Sequence, residues 1–244
     1  MAHSIAVISG KGGVGKTFLS VNISAAIAAY GHRTLIIDTD SGMCNADIVL
    51  HKSDSFVYDL SDIAAGYCSL DDALIDVWNN GALSLIASAK NPDFVPSADF
   101  LKKLIAEAAK SFEYIIIDAP AGAGLAVQNV ISASDRVVIV TNPPKEAVLP
   151  AAAVSDTAWR IAPKTPVYVV VNKIDRKGIA PGDMSPDRII DICYARLLGI
   201  VYKTDNIEKA RRDGRVFVSC KYTESCQIRN IASRICGESV PLLI

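Results

Sequence analysis

Seven short apolar runs recur along the chain: IAVIS (5–9), TLIID (34–38), LSLIAS (83–88), YIIID (114–118), RVVIVT (136–141), VYVVVN (167–172) and GIVY (199–202). They are continuous rather than alternating, which is the pattern of strands covered on both faces. Helical patterns separate them, over 16–30, 98–110, 145–162, 186–196 and 224–236. Strand–helix–strand order with right-handed crossovers predicts an α/β fold, a doubly wound, mostly parallel sheet with helices on both faces. One segment, about 41–82, breaks the rhythm with Asp, Ser and Gly punctuation. In such a sheet an insertion of this kind borders the ligand edge. There is no linker, repeat or low-complexity stretch, so a single domain over 1–244 is expected.

Composition narrows the function classes. Half of the 244 residues are hydrophobic, enough for a core without disulfides or structural metals. The net charge of -1 gives no global basic field for nucleic acid or membrane. MAHSIAVISG lacks the charged region and cleavage site of a signal peptide, and no run of 18 apolar residues occurs. A cytoplasmic protein is expected. The six cysteines (44, 68, 193, 220, 226, 236) form no CxxC or CxC, and His3, His32 and His51 have no ligand spacing. They read as buried or incidental.

The chemistry sits in SGKGGVGKTF, residues 9–18. Gly10-x-x-x-x-Gly15-Lys16-Thr17 is a phosphate-binding loop in its proper context, with a strand before it and a helix after it. Glycines let successive N–H groups turn toward an anion, and the helix N-terminus adds partial positive charge. The nucleotide-binding stretch is Gly12, Gly13, Val14, Gly15, Lys16, Thr17 and the backbone of Phe18. Lys16 is expected on the β- and γ-phosphates and the Thr17 hydroxyl on Mg²⁺. Asp38 and Asp118 end strands, where a metal can balance their charge, and Asp118 reads as the carboxylate organising Mg²⁺. Asp40, two residues past its strand, is within reach of a water in line with the γ-phosphate. Lys11 has no place in this scheme, because it stands too early to be the phosphate lysine.

KGGVGKT, LIIDTDSGMCNAD and YIIIDAPAG together resemble the MinD/ParA family of deviant Walker-A ATPases, most closely its MinD branch. The likeness extends through VTNPP (140–144), VVVNK (169–173) and RNIASRICGESVPL (229–242). It implies a P-loop NTPase fold of the SIMIBI class, an ATPase activity, and ATP and Mg²⁺ as cofactors. It implies that Lys11 crosses an ATP-sandwiched homodimer interface to the partner's phosphates. Lys16 and Thr17 then hold phosphate and metal, Asp38 supports the metal, Asp40 positions the attacking water, and Asn45 sits near that water. Asn172 contacts adenine, and Lys173, Lys203 and Asp205 join the nucleotide-binding set. A lysine supplied in trans neutralises charge as an arginine finger does, tying slow hydrolysis to assembly. Regulators of the MinC/MinE type and a role in placing the division site follow from the same resemblance.

The chain departs from the family pattern at four places. Phe18 replaces a threonine, Cys44 an arginine, Pro144 a glutamate, and Pro150 an interface aspartate. The MinD branch continues into a basic amphipathic membrane helix, so attachment to the inner face of the membrane is expected only if such a segment follows Ile244. The stripe Ile228, Ile231, Ile235 reads as core packing instead. NKID (172–175) also matches a guanine-reading motif, which keeps a GTP-dependent metallochaperone-type NTPase as an alternative. A ParA-like DNA-partition ATPase is another, but its basic face would rest on Lys209, Arg211, Arg212, Arg215 and Lys221 alone, so DNA is not an expected partner.

Overall fold

The apolar runs form one eight-stranded sheet in the computed structural model, which describes residues 2–41, 46, 49–50, 56–78, 81–213 and 215–242, with the backbone only for Arg211. In chain order the strands are β1 (His3–Ser9), β2 (Thr34–Asp38), β3 (Ile75–Trp78), β4 (Leu83–Ile86), β5 (Tyr114–Ala121), β6 (Arg136–Thr141), β7 (Val167–Ile174) and β8 (Arg196–Tyr202). Their spatial order is β3-β4-β2-β5-β1-β6-β7-β8, and every pairing is parallel except β3 with β4. The described helices are α1 (Lys16–Ala29), α2 (Leu60–Ala65), α3 (Ala98–Ala108), α4 (Leu125–Ala133), α5 (Lys145–Ile161), α6 (Pro186–Cys193), α7 (Asn206–Arg212) and α8 (Thr223–Ile235).

Alternate residues of the strands feed two apolar layers. Ile5, Val7, Ile36, Ile116 and Val138 pack with α1 and α8 on one face. Ala6, Ile8, Leu35, Ile37, Ile117 and Val137 pack with α3 to α6 on the other. Because both faces are covered, the central strands carry apolar residues at consecutive positions, as in Ile5–Ile8 and Ile115–Ile117, which is why the runs were continuous in sequence. The edge strand β3 escapes that pattern. Ile75 is buried while Asp76 is exposed, so its signal is four residues of alternation within a polar insertion.

Helix α1 is buried on nearly all sides, lying between β2, β5 and α8. Its small residues, Ser20, Ser24, Ala25, Ala26 and Ala28, let those neighbours approach closely. Ile228, Ile231 and Ile235 of α8 are all in the core. Arg234 of the same helix donates to the Leu198, Val240 and Pro241 carbonyls, fastening the segment after α8 to β8.

The approach of α8 to β8 requires Gly199. A Cβ there would lie 2.5 Å from Cγ1 of Ile231. Gly199→Ala is expected to destabilise the protein by about 1–3 kcal/mol through overpacking. In a double-mutant cycle with Ile231→Ala the two losses should be strongly non-additive in chemical denaturation; additive losses would place the cause elsewhere.

Candidate active site

Strand β1 ends at Ser9, the loop 10–15 turns over its end, and α1 begins at Lys16. Helices α2, α3 and α6 are capped by the side chains of Asp59, Ser97 and Ser185. Helix α1 has no side-chain cap and no acidic residue in its first turn. Its leading N–H groups are therefore free to receive an anion. The loop, Asp40 and the Pro120–Ala121 end of β5 enclose a cleft of about 580 Å³. A roomier groove of about 890 Å³ lies away from it, beside Trp159 and Tyr194, without a phosphate-binding loop.

Behind the loop the strand register does the positioning. Pairing of β2 with β5 sets Asp38 directly opposite Asp118. Asp118 is fully buried and receives three side-chain donors from α1: Lys16 Nζ at 2.9 Å, Thr17 Oγ1 at 2.6 Å and Ser20 Oγ at 2.7 Å. Asp38 accepts the backbone N–H groups of Asp40 at 2.9 Å and Ala46 at 3.2 Å. Burial and then the neighbouring Asp118 charge push the Asp38 carboxyl up to about 7, against the pull of those two N–H groups and Lys16. Burial also raises the half-buried Asp40, with Lys16 opposing.

Two buried carboxylates thus share one ammonium, a donor set short of positive charge. A divalent cation fits it. Among the described residues no group of three His, Cys, Asp or Glu could cage a metal alone. Mg²⁺ needs no such cage, because one or two carboxylates with phosphate oxygens and water suffice.

From beneath, the loop is braced by β7. Asn172 Nδ2 donates to the Val14 carbonyl at 2.8 Å, and Lys173 Nζ to the Gly13 carbonyl at 2.7 Å. Lys173 holds a left-handed φ of 57°, a strained backbone for a lysine. Lys203 is exposed and lines a second cleft of about 410 Å³ with Lys173 and Asp175, whereas Asp205 is exposed at the start of α7. The side chain of Phe18 packs on Phe217, centroids 5.5 Å apart, and Phe217 stacks on Tyr222. Lys11 is exposed and makes no hydrogen bond or ion pair among the described residues. Pro144 caps α5 and Pro150 lies inside it. A Cβ on Gly10 would fall 2.1 Å from the Pro150 carbonyl carbon, so α5 abuts the start of the loop. Gly42, Cys44, Asn45 and Asp47 lie outside the described residues.

The structure thus brings Lys16, Thr17, Asp38, Asp40 and Asp118 together, with Asn172 and Lys173 under the loop. Ser20 was not singled out from the sequence. Its signal was the spacing Lys16, Thr17, Ser20, which puts three polar side chains on one face of a helix start.

A family model described as an AAA domain matches residues 2–161. The septum site-determining protein MinD of Bacillus subtilis is 36% identical over 248 aligned residues, spanning 100% of this chain and 92% of the relative. The chain belongs to the MinD family of P-loop ATPases. The MinD cell division protein of Aquifex aeolicus shares the fold with a TM-score of 0.88, 31% identity and full coverage of both chains. In the MinC:MinD cell division protein complex of the same organism, the matching chain gives a TM-score of 0.89 at 31% identity, covering 100% of this chain and 99% of that one. The MinD-family chain is accordingly an ATPase with ATP and Mg²⁺ as cofactors.

The raised Asp38 has a stability consequence. Its folded form keeps a proton that the unfolded form has lost between pH 3.8 and about 7, so this group's contribution falls as pH rises through that window. Asp38→Asn is expected to raise the melting temperature of the nucleotide- and metal-free protein at pH 8, by about 3 °C or more. The gain should shrink toward pH 5. An equal gain at both pH values would show that charge is not the cause.

Proposed function

We propose that the chain is a nucleotide-gated dimerisation switch of the MinD type. In this reading it binds Mg-ATP in the cleft, pairs two-fold with nucleotide sandwiched between the subunits, and hydrolyses ATP slowly until a partner protein completes the site. The observation that carries it is the contrast between the two lysines. Lys16 is buried and committed to Asp118, while Lys11 stands exposed in the same loop and, among the described residues, unpaired. An exposed lysine beside a phosphate cradle has a use when a second copy of that cradle faces it.

Each residue then has a task. Lys16 leaves Asp118 and holds phosphate oxygens; Thr17, Asp38 and Asp118 hold the metal side of the ligand. When bound, Mg²⁺ neutralises the negative charge that accumulates on the phosphates. The Asp40 carboxylate orients water, with Asn45 beside it. Lys11 enters the other subunit's site and adds positive charge where the transition state needs it. Asn172, Lys173, Lys203 and Asp205 form the base side of the site, with Asn172 serving both the Val14 carbonyl and adenine.

A MinC-type or MinE-type regulator is the partner class we assign, by extension from the Aquifex aeolicus complex of MinC with MinD. Exposed Leu149 precedes Pro150, which abuts the loop, and exposed Leu125 opens α4 just past the Pro120–Ala121 rim. The process served is division-site placement or a related spatial organisation. Any inner-membrane contact would use a segment other than α8, whose isoleucine stripe is in the core; none of the described helices is long and apolar enough to cross a bilayer.

The test separates the two lysines. Lys16→Ala should lower ATP affinity by at least about a hundredfold, since a charge-assisted phosphate contact and the pivot of the site are both lost. Lys11→Ala should keep monomer affinity within a few-fold, while sedimentation with Mg-ATP shows no dimer and turnover is lost. Equal losses of binding in the two variants would overturn the division of roles.

A further inference from the structure

We propose that Ser20 is the positioning residue that holds Asp118 in place while Lys16 and Thr17 change partners. The inference rests on reading the cleft as a Mg-nucleotide site. Of the three side-chain donors on Asp118, Lys16 and Thr17 are the two that a phosphate and a metal ion would recruit. Ser20 is the third, and it sits one helical turn deeper, fully buried, where no ligand reaches.

Its hydroxyl lies 2.7 Å from Asp118 Oδ1 and 3.1 Å from the Lys16 carbonyl. A hydroxyl has one hydrogen, and a carboxylate takes it in preference to a peptide carbonyl. With Oδ1 held by Ser20, Oδ2, the oxygen that Thr17 contacts, stays directed toward the ligand side. Without Ser20, a carboxylate with no exposure, set opposite a second carboxylate, would keep no side-chain donor among the described residues once Lys16 and Thr17 had turned away. An unpaired buried charge is costly, so Asp118 would either rotate or retain Lys16, and both oppose loading of the metal.

Ser24 supplies the comparison. It is equally buried on the same helix and bonds back to the Ser20 carbonyl at 2.7 Å, with no contact to Asp118. A serine that matters only for helix packing would behave as Ser24 does.

The experiment titrates Mg²⁺ into the full chain holding a fluorescent ADP, and also measures ADP affinity in EDTA. Ser20→Ala should raise the Mg²⁺ midpoint on the order of tenfold, the scale of one hydrogen bond to a charged group, and by clearly more than it weakens ADP binding in EDTA. Ser24→Ala should keep the wild-type midpoint. A wild-type midpoint for Ser20→Ala, or an equal shift for Ser24→Ala, overturns the proposal. Should Ser20→Ala not fold, Ser20→Cys, nearly the same size with a weak donor, is expected to shift the midpoint in the same direction, and an unshifted midpoint would overturn the proposal equally. Failure of the wild-type chain to bind ADP in either condition would instead count against the nucleotide reading itself.

Discussion

The buried Asp118 carboxylate is the contact on which the site depends. It lies three residues before the end of the central strand β5, receives three donors from the first turns of α1, and lies opposite a second buried acid. Removing one partner from such a cluster strands a charge in the interior, whereas exchanging partners keeps it neutral. In the nucleotide-free arrangement Asp118 is therefore compensated by Lys16, whereas the second acid is not. Lys16 stands in for the positive charge that a metal brings, and Asp118 for the negative charge that phosphate brings. In the proposed Mg-nucleotide reading, binding is an exchange of ion-pair partners.

The fold makes that exchange local. Parallel pairing in register brings Asp38 beside Asp118, and the turn after β1 delivers Lys16 and Thr17 to the same point. Thr39 adds a tie, since both its N–H and its hydroxyl donate to the Asp118 carbonyl at 2.9 Å. The backbone of the pivot is thus fixed while its side chain trades partners. Burial supplies the energetic tension, seen in the upward push on Asp38 and Asp40. The same burial explains why a divalent cation suits the site: two acids in one dry place exceed what a single lysine balances.

Much of this was legible in sequence because the chain repeats one physical pattern. Strands β2 and β6 match their apolar runs residue for residue, since both faces of each are covered and the run stops where cover stops. Helix α7, with Arg212 and Lys209 toward solvent, and α4, which opens directly after AGAG, gave weaker periodic signals and were not anticipated. Strand β4 lies within the run LSLIAS, but its neighbour β3 was hidden for another reason. Antiparallel edge pairing depends on a long-range partner more than on the apolarity of its own four residues. In the site, Asp38 and Asp118 were readable as the acids closing their apolar runs, although β5 continues past Asp118 to Ala121. Bonds from Lys173 to Gly13 and from Ser20 to Asp118 were not, because they span 160 and 98 residues and depend on the folded register. Asn45 falls among residues whose placement is not described.

Two of the departures from the family pattern, Phe18 and Pro150, pack beside the phosphate-binding loop. Phe18 anchors the first turn of α1 to Phe217, and Pro150 presses α5 against Gly10, so both sit on links between the loop and its surroundings. The partner-exchange account itself is tested most directly by ADP affinity in EDTA for Asp118→Asn. Losing the carboxylate charge frees Lys16 for phosphate, so metal-free affinity should rise several-fold over wild type while added Mg²⁺ tightens it little. Weaker metal-free binding in a variant that keeps its fold would contradict the exchange.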